Sequence, residues 1–174
     1  FGFLTDDATV LIPRKDGASR CFKIWGLPRA LKVHHRTRDL LPHIAPLLGP
    51  NWNSDGEQVL RRETLSAVAE VCSPRPFSLV AIVLLGSCVE GAHVLRQASK
   101  TDVMMHLAYD NLRQAQHGVM SDELARFQAI SAAVAATPTY ELRVGTDLAS
   151  VGALVTSVLG ELDDSCLESL SRKS

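Results

Sequence analysis

The sequence predicts a mixed α/β fold, strand-rich around a central sheet in its first half and helical in its second. Three observations carry this expectation. Short apolar runs in the first half are separated by turn residues, the pattern that strands leave. The run Leu79-Val80-Ala81-Ile82-Val83-Leu84-Leu85 contains no polar residue and suits a central strand buried on both faces. Past Ser99, apolar residues recur at helical spacing behind residues that cap helices.

Taken in order, residues 8–12 and 20–25 read as two strands joined by a turn at Lys15-Asp16-Gly17. Residues 37–48 read as a short helix broken by Pro42 and Pro46. Residues 49–56 are a loop by composition, rich in Gly, Asn and Asp. The segment 58–72 fits strand and helix equally well. Ser73-Pro74-Arg75-Pro76 is a hinge-like break before a strand over 77–85, and a short strand is expected over 93–97.

Three helices follow. Ser99 with Asp102 forms a capping box, Asp standing in for Glu, that opens a helix over 101–113. Ser121, Asp122 and Glu123 open a second, with an apolar stripe of Leu124, Phe127, Ile130 and Val134, and Pro138 stops it. Thr146 or Asp147 caps a third, with Leu148, Val151, Val155, Val158 and Leu162 on one face. Between the last two, alternation puts Tyr140, Leu142 and Val144 on a core-facing side and Glu141 and Arg143 on the other. Met104, Met105 and Trp25 read as core filling. The whole reads as one domain over 1–162 and a polar tail over 163–174.

The chain of 174 residues carries 18 Lys and Arg against 19 Asp and Glu, a net charge of −1. That balance gives no reason to expect a nucleic-acid or membrane partner. The longest apolar run is too short to cross a bilayer. Cys21, Cys72, Cys88 and Cys166 are widely spaced with no C-x-x-C pair, so no zinc site is expected. Free thiols fit a reducing compartment, and the cytoplasm is the expected location. Cys72 and Cys88 sit in or beside apolar runs and read as small core residues.

The chemistry points to the adjacent acids Asp6 and Asp7, set between two apolar runs. Two acids in a row are poor strand formers and belong at the mouth of a sheet, where open α/β folds place their sites. Two carboxylates there can divide the work of holding Mg²⁺ and accepting a proton from a hydroxyl. The plainer alternative is a solvated Asp-Asp turn between strands.

The flanks favour the first reading. Gly2-Phe3-Leu4-Thr5-Asp6-Asp7-Ala8-Thr9-Val10-Leu11 resembles the G-x-L-[ST]-D-D-x-x-x-L segment of HPr kinase/phosphorylase-like proteins, of the PEP-carboxykinase-like nucleotide-binding superfamily. Asp16-Gly17 stands where those proteins turn a hairpin. Leu27-Pro28-Arg29-Ala30-Leu31-Lys32 is similar to their P-R-P-x-x-L-K stretch, with Ala30 in place of the second proline. Pro138-Thr139-Tyr140-Glu141-Leu142-Arg143-Val144-Gly145 looks like their closing P-x-Y-x-L-R-x-G strand. The resemblance is nearest to the HPr-kinase-related proteins of modified-peptide gene clusters.

The resemblance implies an ATP-dependent serine kinase of a protein or peptide. Asp6 or Asp7 would take the proton of the attacking serine, and the other would support Mg²⁺ through a water. ATP and Mg²⁺ are then the implied cofactors. Family members also carry a phosphate-binding loop, G-x-x-x-x-G-K-[ST], ahead of the acids, and no such motif occurs in these 174 residues. The chain begins at Phe1 without Met, so we read it as the C-terminal portion of a longer kinase. Its expected partners are a serine-bearing protein or peptide, and either its missing N-terminal half or a second copy. The alternative is a non-catalytic, kinase-like module that binds a peptide.

Arg29, Lys32, His34, His35, Arg36 and Arg38 form the strongest basic cluster. By the resemblance, Arg29 and Lys32 would reach phosphate oxygens, Arg as a planar fork and Lys as a point charge. The plain alternative is a solvated loop. His34, His35 and His43 lack a fourth ligand at useful spacing, so a metal is not expected there.

Overall fold

The computed structural model describes residues 2–5, 8–12, 22–27, 30–72, 75–112, 121–158 and 160. The chain is mixed α/β, with several small sheets and helices. It divides into two compact units, Phe1–Ile12 with Ile24–Phe77, and Pro13–Lys23 with Ser78–Ser174. The expected turn at 15–17, Leu162 and the tail 163–174 lie outside the described residues.

The first unit runs β1 (Gly2–Phe3), β2 (Thr9–Ile12), β3 (Lys23–Gly26), β4 (Leu31–His34), α1 (Thr37–Leu40), a 3₁₀ turn Pro42–Leu47, β5 (Glu57–Leu60), α2 (Arg62–Leu65), β6 (Glu70–Val71) and β7 (Phe77–Ser78). β1 pairs in parallel with β6, Gly2 opposite Glu70 and Phe3 opposite Val71. β2, β3 and β7 form a sheet in that order. β4 and β5 are antiparallel, with Val33 opposite Gln58 and His34 opposite Glu57.

Alternation explains the last pair. Val33 and Leu60 point inward and are buried, while Lys32 and Val59, opposite each other, face solvent. Ile44 and Leu65 complete this core, and Leu31, Leu41, Leu47, Leu48, Ala69 and Val71 pack around it. Pro42 opens the 3₁₀ turn and Pro46 lies inside it, so the segment 37–48 is two short helical pieces, not one helix. The loop 49–56 closes on Asn53, whose side-chain oxygen accepts from the Asp55 and Glu57 amides at 3.0 and 2.7 Å. Gly56 turns it back at φ +72°, a conformation that a side chain resists. The undecided segment 58–72 is strand, helix and strand in succession.

The second unit holds β8 (Ile82–Leu85), β9 (Val94–Gln97), α3 (Lys100–Asn111), α4 (Ser121–Ala136) and β10 (Thr139–Arg143). A 3₁₀ turn, Leu148–Ser150, capped by Asp147, leads into helical residues 151–158. Ser99 caps α3 by accepting the Thr101 amide at 3.2 Å. Val103, Ala133, Val134, Thr139 and Leu142 are buried. His93 ties the chain beyond β10. Its Nδ1 accepts the Gly145 amide at 2.7 Å, so its Nε2 carries the hydrogen that meets the Asp147 carbonyl at 2.6 Å.

Several sequence expectations need correction. The apolar run 79–85 is not a central strand buried on both faces. β7 ends at Ser78, β8 starts at Ile82, and the sheet order β8-β10-β9 puts β8 at an edge. Leu85 is 77% exposed. The centre belongs to β10, parallel to β8 and antiparallel to β9. β10 tolerates that place although it carries Glu141, because Arg96 on β9 stands opposite and bonds its carboxylate. On α4, Val134 of the expected stripe is buried and Ile130 half-buried, but Leu124 and Phe127 are exposed, and Glu123 and Ala133 are buried as well. Met105, Trp25 and Cys88 are exposed too, not core. Tyr140 and Val144 are half-buried beside the buried Leu142. Each residue satisfies its local pattern, but burial depends on what packs against it, which no pattern encodes.

Candidate functional site

β1 and β6 run parallel and end level, so Leu4 and Cys72 are the first residues past their carboxyl ends. Arg62, opening α2, ties them together. Its Nη1 donates to the Leu4 carbonyl at 2.8 Å and its Nη2 to the Cys72 carbonyl at 2.7 Å. A planar guanidinium can make two such bonds at once, and a lysine cannot match that fork. The next residue, Thr5, closes the following turn. Its hydroxyl is within donating reach of the Leu27 carbonyl at 2.8 Å and of the Ala8 carbonyl at 3.2 Å. The Leu27 amide also donates to the Ala8 carbonyl, at 3.1 Å.

Positions 4, 5 and 8 are therefore pinned from three directions around the acidic pair. Gly26, buried at the end of β3, makes room for this. A Cβ there would come within 2.6 Å of Leu4 Cγ and 2.9 Å of Thr5 Cβ. Asp6, Asp7 and Arg29 themselves lie outside the described residues. The sequence reading missed Arg62 and Gly26. Nothing marks Arg62 within Arg61-Arg62-Glu63. An isolated glycine at a strand end, however, is a signal of close backbone approach.

Lys32 stands on the solvent face of β4 and pairs with Glu57 at 3.6 Å. Arg38 pairs with its neighbour Asp39 at 3.7 Å. His34 and His35 bring their rings to 4.0 Å, and His35 meets Trp52 edge-on at 6.2 Å. Two cations of the basic cluster are thus paired with acids, Lys32 across the strand pair and Arg38 with its chain neighbour, and its two histidines sit against the 49–56 loop.

The second unit has a cleft of about 400 Å³ whose lining includes Leu84, Gly86, Arg96, Asp102, His106 and Glu141. Glu141 is its fixed charge. One oxygen accepts from Arg143 Nε at 2.7 Å, and the other accepts from Arg96 Nε and Nη2 at 2.8 and 2.5 Å. The hydrogen bond from Arg143, then that from Arg96, holds its carboxyl below the usual carboxylate value of 4.5. Among the described residues, no group of three or more His, Cys, Asp and Glu converges to hold a metal. No helix among them is long and apolar enough to cross a membrane.

Compared with known protein families, with curated proteins and with solved structures, the chain matches none.

Proposed function

We propose that this chain is the portion of an ATP-dependent serine kinase that carries the acidic residues of the site, in a PEP-carboxykinase-like fold, with a protein or peptide as substrate. The observation that carries the reading is the fastening on both sides of the acidic pair. Arg62 holds Leu4 at the carboxyl end of a parallel strand, and the Thr5 hydroxyl reaches across to Ala8 and Leu27. Parallel sheets present their reactive residues past the carboxyl ends of their strands. A solvated turn does not require an arginine and a buried glycine to fix its approach. The Thr5-Asp6-Asp7 motif and its apolar flanks support the same reading from sequence.

The roles follow from the donor chemistry. A carboxylate of Asp6 or Asp7 accepts the proton of the attacking serine hydroxyl. The other, a hard oxygen donor, suits Mg²⁺, which when bound neutralises charge on the phosphates. Arg62 is a positioning residue, since both its bonds go to backbone carbonyls. Arg29 and Lys32 are the proposed phosphate contacts, and for Lys32 that requires leaving Glu57.

The test is transfer of labelled γ-phosphate by full-length protein to a serine peptide. Asp6→Asn and Asp7→Asn are each expected to lower the rate at least about 10²-fold, the scale of acid–base groups. Near-full turnover in both variants removes these residues from the chemistry. Peptide binding without any transfer, in wild type and variants alike, is the outcome of a non-catalytic binding module.

A further inference from the structure

Among the described residues β8 is an edge strand, and its own sequence lacks the charges and prolines that keep edges apart. Natural edges are blunted by lysines, prolines, bulges or a covering element. Residues 79–86, Leu-Val-Ala-Ile-Val-Leu-Leu-Gly, hold no charge and no proline. Among the described residues, the sheet order β8-β10-β9 puts only β10 beside it. The other edge, β9, carries Arg96.

The open side of β8 can be specified. The Ile82 amide donates to the Pro138 carbonyl at 2.9 Å and the Gly86 amide to the Leu142 carbonyl at 2.8 Å. In a parallel ladder, alternate residues face the partner, so 82, 84 and 86 turn their amides toward β10 and 83 and 85 turn theirs away. The side chains of Val83 and Leu85 share a sheet face with Tyr140 and Leu142, their register partners. The row Leu85–Leu142–Leu95 crosses all three strands. It is buried at Leu142 and reaches 77% exposure at Leu85. An apolar row that runs out of cover at an uncharged edge is continued by another strand.

We propose that this edge pairs with β8 of a second copy of this chain, antiparallel about a two-fold axis at Leu84. The strand is self-complementary in that register. Val83 of one copy exchanges amide and carbonyl bonds with Leu85 of the other, and Leu85 with Val83. Leu84 faces its own symmetry mate in the non-hydrogen-bonded position. The exposed Leu85 then packs on the partner's Val83, an aliphatic cross-strand pair. No like charges meet, since the segment has none. The contact is isologous, closes at two copies and gives a sheet of twice three strands. One strand pair buries little surface, so the dimer is concentration-dependent.

Light scattering and sedimentation velocity over a concentration series test this on the full chain. Wild type is expected to pass from monomer to dimer. The double substitution Val83→Lys with Leu85→Lys is expected to be monomeric throughout, as is Val83→Glu with Leu85→Glu, each with unchanged circular dichroism. Mixed, the two variants are expected to form the heterodimer, because every lysine then faces a glutamate. Leu85→Lys alone, at the most exposed site, carries the same test if a double variant unfolds. A wild type that stays monomeric overturns the proposal. So does a dimer indifferent to Leu85→Lys, an assembly larger than two copies, or failure of the mixed variants to pair.

Discussion

Arg62 shows how one residue sets the geometry of a neighbourhood. Its side chain satisfies two carbonyls, at Leu4 and Cys72, that terminate different strands. Replacing it with Met leaves both without that donor, and an unsatisfied partly buried carbonyl costs roughly 1–3 kcal/mol. Arg62→Met is expected to lower the urea midpoint accordingly, and Arg62→Lys to recover only part of the loss, because an ammonium does not span both oxygens. Equal stability of Lys and wild type would show that the fork is not needed. Glu141 offers a second test at this scale. Arg143 and Arg96 lower its carboxyl below 4.5 in the folded chain. A depressed carboxyl contributes stability that is present above its unfolded value and is lost as pH falls through the folded one. The stability difference between wild type and Glu141→Gln is therefore expected to be constant near neutral pH. It should shrink on acidification from about 4.5 downward. Denaturant melts across that range measure it, and a gap that persists at the acid end contradicts the assignment.

Among the elements, α4 illustrates a helix end held by another helix. Its last carbonyls have no partners within the helix. Lys100, the first residue of α3, supplies them. Its Nζ donates to the Val134, Ala135 and Thr137 carbonyls at 2.9, 2.5 and 3.3 Å. A cation at a helix C-terminus also offsets the macrodipole, by typically about 0.3–1 kcal/mol. Lys100→Met is expected to destabilise by about 1 kcal/mol and to speed hydrogen exchange at residues 133–137 first. Uniform exchange with no local change there would place the lysine's contribution elsewhere. The strands teach the converse lesson. The apolar run 79–85 reads as a centre and lies at an edge, while β10, carrying Glu141 and Arg143, occupies the centre. A central strand needs partners for its charges more than it needs an absence of charge.

For the whole molecule, the kinase reading demands something these 174 residues do not contain, a G-x-x-x-x-G-K-[ST] loop. Loop amides and a lysine supply most contacts to nucleotide phosphates, and two carboxylates without them repel a polyphosphate. The chain on its own is expected to show no heat of ATP–Mg²⁺ binding in a calorimetric titration. Micromolar binding by the isolated chain would move the site elsewhere and end the present assignment.

By itself the sequence determined the mixed α/β class, the cap at Ser99, a cap at Thr146 or Asp147, the helix stop before Pro138, the proline-broken stretch near Pro42 and the alternation that turns Leu142 inward. These are local matters, settled within a few residues by backbone sterics, capping bonds and side-chain period. It also marked Asp6 and Asp7 as the place to look. Only the tertiary structure decided that Arg62 bridges the ends of β1 and β6, that Gly26 clears space for Leu4, that Lys32 meets Glu57 and that Arg96 neutralises Glu141. Those partners lie between 10 and 58 positions apart for the hydrogen bonds of Arg62, and 45 apart for Arg96 and Glu141. A single sequence shows which groups need a partner, but which one is met depends on how the elements fold back on one another.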